Sequence, residues 1–192
     1  MIGELVAALT PLAIVMLALL RERPMHPYEM HQTLLERHQD RVLKIRPGSL
    51  YHTVERLHSD GLVEVKSVER EGNRPERTTY RILPAGERAL INRVAELVRE
   101  WGRDYPSFPV AIGEAHFLPK EVAITSLKER RTLIERDLVV IGDGQVEALA
   151  RNIDPVVLLS GNYLQHMLSA EHEWLTRTIE LIETEEYSWP NN

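Results

Sequence analysis

The stretch that most constrains this chain runs from Arg46 to Leu62. Pro47 suits the first turn of a helix, where its missing N–H would have no intrahelical partner anyway. Gly61 suits a left-handed helix end. Between them Leu50, Val54 and Leu57 repeat at helical spacing and form one apolar stripe. Ser49, His52, Arg56 and Ser59 fall on the opposite face, with Glu55 beside them. The stretch is therefore a short helix, anchored on one side, that shows hydrogen-bonding groups and an arginine on the other. A helix that reads base edges in a major groove needs this division. An ordinary amphipathic surface helix shares it, so the neighbouring segments must decide.

Thr10-Pro11 starts a first helix, with a hydroxyl cap and proline behind it. Leu12 to Leu20 is apolar on every side, which predicts a second face covered by another domain or another subunit. A second helix runs from Pro27 to about Gln39, with Tyr28, Met30, Leu34 and Leu35 inward. A polar, basic link from Asp40 to Arg46 leads into the central helix. After Gly61 the period changes. Leu62 to Val68 reads as a strand, Glu69 to Glu76 as a turn, and Arg77 to Leu83 as a returning strand. Three helices followed by a hairpin are the order of a winged helix-turn-helix. The wing loop carries Arg70, Arg74 and Arg77, which suit phosphates or a narrow minor groove.

Pro84 begins a long helix through Leu90, Val94, Leu97 and Trp101. The segment Tyr105-Pro106-Ser107-Phe108-Pro109 breaks it. This divides the chain into a DNA-binding domain with its linking helix, residues 1–104, and a helical domain, residues 105–192. The second part reads as a helix from Leu118-Pro119, a turn at Gly142-Asp143-Gly144, a short helix from Val146 to about Asn152, and a last helix from Pro155 to about Glu186. The last helix carries the stripe Leu164, Met167, Leu168, Glu171, Trp174, Leu175, Thr178, Leu181 and Ile182, spaced for packing against partner helices. The fold class is mainly α: an N-terminal winged helix-turn-helix, three helices and a two-stranded wing, then an α-helical domain.

Charge fits this division. The net charge of −6 is uneven: residues 1–104 carry 16 basic against 15 acidic side chains, and residues 105–192 carry 7 against 14. Residues 37–81 hold 10 basic against 7 acidic, so the proposed contact region is mildly basic. With no cysteine, disulfides, thiolate metal sites and a cysteine nucleophile are excluded. The apolar run Leu5 to Leu20 is interrupted by Thr10 and Pro11 and is shorter than the ~20 residues a membrane span needs. No targeting segment is evident, and the expectation is a cytoplasmic protein.

Other chemistries find little support. His166 and His172, and His26 and His31, are not spaced as ligands on one helix face, so no metal or cofactor is expected. Gly142-Asp143-Gly144 lacks the strand and Lys-Ser/Thr of a phosphate loop. No carboxylate pair is tied to a nucleophile or metal motif, so the chain is not read as an enzyme. Trp101, Tyr105, Phe108 and Trp174 are candidate walls of an effector pocket for a flat apolar ligand, with ordinary ring packing as the alternative. A winged helix used only for protein–protein contact is the competing class. It would show an apolar or acidic recognition face.

Several motifs then occur in order: His26-Pro27-Tyr28-Glu29-Met30, Gly48-Ser49-Leu50-Tyr51, Arg56-Leu57, Gly61-Leu62-Val63, Gly72 with Arg74-Pro75, Arg77, Tyr80, Ile82 and Gly86. Over about the first 90 residues they closely resemble the PadR family of transcriptional regulators. The acidic helical tail resembles the larger subfamily, whose C-terminal domain mediates dimerisation. Pro27, His52 and Leu83 depart from the family's usual glycine, proline and threonine. The resemblance implies a homodimer on palindromic operator DNA, often a repressor released by a small molecule. It also implies that Gly48, Ser49, Tyr51 and Arg56 lie on the recognition helix, with His52 among them, that Tyr28 supports it, and that Arg74 and Arg77 belong to the wing. For Tyr51 a phosphate-contacting hydroxyl and a packing ring are both open.

Overall fold

Pro11, Pro27, Pro47 and Pro84 each stand in the first turn of a helix: α1 (Pro11–Glu22), α2 (Pro27–Glu36), α3 (Pro47–Ser59) and α4 (Pro84–Arg99). The computed structural model describes residues 8–69, 77–101 and 106–190. The chain divides into two compact units, Met1–Gly102 and Arg103–Asn192.

In the N-terminal unit the Thr10 hydroxyl accepts from the Ala13 N–H and caps α1. Ala13, Met16, Leu17, Leu19 and Leu20 are buried, and Leu12, Ile14 and Val15 pack against the same core. Part of the face of α1 that was expected to meet another domain or subunit is covered within its own unit. α3, α4 and β2 (Arg77–Ile82) of its own unit pack around it.

On α2 the inward residues are Pro27, Met30 and Leu34. Tyr28 and Leu35, expected inward, are exposed. They fall one residue beyond Pro27 and Leu34, about 100° around the helix, which is enough to leave the core. The link before α3 contains a 3-10 turn, Gln39–Arg41.

β1 (Val63–Glu69) pairs antiparallel with β2, from Val63 opposite Ile82 to Glu69 opposite Arg77, with an irregularity between Val65 and Ser67. Glu64 and Arg81 face each other across the ladder and pair at 2.6 Å. Met25 adds an isolated bridge on the other edge of β2, exchanging both backbone hydrogen bonds with Tyr80 at 3.0–3.1 Å. The wing is thereby tied to the segment that starts α2. Gly86, in the first turn of α4, is required by packing: a Cβ there would overlap the Leu62 carbonyl oxygen and stand 2.9 Å from Ile82 Cγ1.

The C-terminal unit comprises α5 (Ser107–Gly113), α6 (Lys120–Ala150) and α7 (Leu159–Glu183), with 3-10 turns at Ala115–Phe117 and Pro155–Leu158. α6 is continuous through Gly142-Asp143-Gly144, which corrects both the expected turn and the separate short helix after it. A glycine in a helix interior costs about 1 kcal/mol, a cost that packing along a long helix can offset. Asn152, at φ 59°, ends the run, and the Asp154 carboxylate then accepts from the Val156 N–H. Pro155 therefore opens a 3-10 turn, and the long helix begins at Leu159.

α6 and α7 pack along each other, with Lys120 near Glu185 at one end and Gln145 near Gly161 at the other, so they run antiparallel. Their core is Leu127, Ile134, Leu175, Ile179 and Ile182. Of the expected α7 stripe, Leu175 and Ile182 are buried, whereas Met167 and Trp174 are exposed. Trp189 joins this core and donates its indole N–H to the Leu118 carbonyl at 2.9 Å. Among the described residues, no helix is long and apolar enough to cross a membrane.

Candidate nucleic-acid interface

α3 is fixed from behind. Leu50, Val54 and Leu57 are fully buried, and Thr53 lies between them at the core's edge. Each such aliphatic side chain contributes about 1.5–3 kcal/mol on leaving water, ample to fix one face of a thirteen-residue helix. Gly61, at φ 67°, closes the C-terminus. The Leu62 N–H reaches the Leu57 carbonyl at 2.9 Å and the Gly61 N–H reaches the His58 carbonyl at 3.0 Å, so the last carbonyls are satisfied.

The outer face carries Tyr51, His52, Glu55, Arg56 and Ser59, all exposed, with Ser49 half-buried at its edge. His52 and Glu55 approach to 3.8 Å across one helical turn. Among the described residues Gly48 has open space where a Cβ would point, so none of them requires a glycine there. Arg56 reaches the Thr10 hydroxyl at 3.4 Å and so lies against the start of α1. The Tyr51 ring is exposed, and meets the His26 ring edge-on with centroids 6.1 Å apart.

His26 itself caps α2, its Nδ1 accepting from the Tyr28 N–H at 3.1 Å. Partial burial holds its imidazole below the usual range, and the positive charge of Arg77 adds to this against the pull of Glu29. Arg77 is exposed at the start of β2. Tyr80, further along β2, meets His58 edge-on at 6.2 Å. Its phenol is pushed up by burial and by the charge of Glu55. One surface thus gathers the start of α2, the outer face of α3 and β2 of the wing.

The structure brings Gly48, Ser49, Tyr51, His52 and Arg56 onto α3, with Arg77 at the loop end of the wing strands. Tyr28 lies exposed in the first turn of α2, and its backbone N–H is held by His26. Arg70 and Arg74 lie outside the described residues. Three side chains join this surface that sequence reasoning left off it. Lys44 and Arg46 are exposed immediately before α3, legible only as the charge of the link. His26 was legible as a histidine before proline, a position that caps a helix.

Of the candidate effector residues, Phe108 and Trp174 meet edge-on in the C-terminal unit, centroids 6.1 Å apart. Arg130 lies over the Phe108 ring at 3.6 Å and pairs with Glu171. Trp101 belongs to the N-terminal unit, exposed just after α4. Tyr105 lies outside the described residues. Among the described residues, no cluster of three or more His, Asp or Glu side chains is arranged to hold a metal ion.

Residues 16–92 match the transcriptional regulator PadR-like family. No curated protein matches the chain. Among solved structures, Bacillus subtilis PadR in complex with operator DNA is similar at 15% identity and a TM-score of 0.72, over 89% of this chain and 97% of that one. The same protein in complex with p-coumaric acid is similar at 13% identity and a TM-score of 0.71, over 90% and 98%. A PadR-like transcriptional regulator from Bacillus cereus is similar at 18% identity and a TM-score of 0.62, over 88% and 94%. At these identities the likeness establishes the fold.

Proposed function

We propose that this chain, whose residues 16–92 match the PadR-like family of transcriptional regulators, represses transcription by binding a palindromic operator as a homodimer. The observation that carries the reading is the outer face of α3. Ser49, Tyr51, His52 and Arg56 face away from a fully apolar anchor, with Arg77 beside them and an unfilled space at Gly48. Tyr28 belongs to the same contact surface, and Arg70 and Arg74 are read as the DNA-contacting arginines of the wing. Arg56 reads a base edge, and the wing arginines hold phosphates. Two such helices, one from each copy, enter major grooves about 34 Å apart.

The domain division at residues 104/105 serves this arrangement, the first domain binding DNA and the second pairing the copies. Within the C-terminal unit, α6 and α7 leave Leu133, Val139, Val146, Tyr163 and Met167 exposed. A second copy would cover such faces. The effector is a small aromatic molecule, in keeping with the p-coumaric acid bound by the Bacillus subtilis relative. Arg130, Phe108 and Trp174 offer a cation and two rings for an aryl carboxylate. It acts by favouring a DNA-incompetent arrangement, which needs differential affinity of about 1–3 kcal/mol. The protein works in the cytoplasm.

The test is in-vitro selection from a random duplex pool by the full-length protein, with the mass of the free protein measured alongside. Enrichment of an inverted repeat by a dimer supports the reading. A monomer that enriches nothing overturns it.

A further inference from the structure

His26 stands where three elements of the candidate interface meet. Its Nδ1 accepts from the Tyr28 N–H, so in the neutral ring the proton sits on Nε2. Its ring edge meets Tyr51 on α3. Its chain neighbour Met25 is bonded through both backbone groups to Tyr80 of β2. The charged groups around it are Arg77 from β2 and Glu29 from α2, the latter paired at 2.5 Å with Arg23 just past α1. Tyr51 is the titratable group facing it from α3.

We propose that His26 is a positioning residue for DNA recognition. Its neutral ring joins the start of α2 to the Tyr51 ring, so that specific binding weakens when the imidazole is protonated. The inference rests on the reading of α3 as the DNA-facing helix. A protonated Nδ1 has no lone pair for the Tyr28 N–H, so the α2 cap is lost. The added charge also faces Arg77. Both effects disfavour the placement that holds the ring against the Tyr28 N–H and Tyr51. Burial and Arg77 keep the imidazole neutral to lower pH than usual, which preserves the arrangement near neutrality.

This sign is opposite to that of plain proximity to DNA. A histidine that merely lies near phosphates gains from protonation and strengthens binding as pH falls.

The experiment uses the full chain, a duplex selected from a random pool, and a scrambled duplex of equal length. The ratio of the two affinities is followed from about pH 7.5 to 5.5 at fixed ionic strength, and is expected to fall in the parent towards a limit of about fivefold at full protonation, the worth of one helix cap. His26→Asn keeps an acceptor for the cap but cannot titrate, and its ratio should be flat. By linkage, the selected duplex should also lower the His26 pKa followed by NMR in the parent protein, a readout that needs no variant. A flat parent ratio, a His26→Asn ratio that still falls, or a His26 pKa raised by the duplex overturns the inference. A parent that enriches no duplex overturns the DNA-binding reading and the inference with it.

Discussion

The guanidinium of Arg56 lies 3.4 Å from the hydroxyl of Thr10, and that hydroxyl already accepts from the Ala13 N–H to cap α1. One small side chain therefore serves both a helix start and the arginine on the candidate recognition helix. To reach a base, Arg56 must exchange this neutral partner for a guanine edge. The exposed bond is cheap to give up, since a net hydrogen bond contributes about 1 kcal/mol. Thr10→Ala should cost about 1 kcal/mol of stability through the lost cap, measured by urea unfolding, without weakening binding to the selected duplex.

Gly48 and Gly86 are expected to respond in opposite ways. At Gly48 a methyl group meets none of the described residues, and alanine favours the helix by up to about 1 kcal/mol. Gly48→Ala should therefore leave the melting temperature unchanged or raised while weakening DNA affinity, because the methyl occupies the space left for the duplex. Gly86→Ala should destabilise by about 1–3 kcal/mol, because the methyl is driven into the Leu62 carbonyl and Ile82. Thermal unfolding with DNA binding on both variants checks the contrast.

Glu22 and Arg37 tie α1 to α2 through two hydrogen bonds of 2.6 and 2.7 Å. The hydrogen bond from Arg37 is the largest cause holding the Glu22 carboxyl below its ordinary 4.5. The folded pKa is depressed, so the stabilisation is present above about pH 4.5 and is lost as pH falls through the lowered value. Both side chains are about half exposed, and solvent screening keeps the contribution below about 1 kcal/mol. Arg37→Ala should lower stability by that amount at pH 7 and flatten the acid limb of a stability-against-pH curve.

Arg77, at the start of β2, should act on affinity rather than on sequence choice. Arg77→Ala is expected to weaken selected and scrambled duplexes alike and to reduce the slope of log affinity against log salt by about one. A salt titration on both duplexes reads this directly.

Much of the N-terminal unit was legible because its punctuation is local. Each of its four helices starts on a proline, and Gly61 ends α3 in a conformation that other residues avoid. Tyr28 and Leu35 misled because Pro27, Met30 and Leu34 define a second stripe of equal spacing, and only tertiary packing selects between the two. In the C-terminal unit, α5 was hidden by Pro109. That residue falls in the helix's first turn, where proline is tolerated. The first part of α6 was legible from Leu118-Pro119, and its continuation past Ile141 was hidden by two glycines. At the interface, residue types on α3 could be read from spacing. The bond from Arg56 to Thr10 and the ring contact of His26 with Tyr51 join segments distant in sequence, and no local pattern announces them.

The account turns on whether the outer face of α3 reads DNA. Its most direct measurement is the affinity of the parent and of Arg56→Ala for the selected and scrambled duplexes, at the same salt and pH. An arginine on a base edge contributes about 1–3 kcal/mol of discrimination, so Arg56→Ala should reduce the specificity ratio about tenfold or more and barely change binding to the scrambled duplex. A folded Arg56→Ala protein that keeps the parent's ratio would contradict the account.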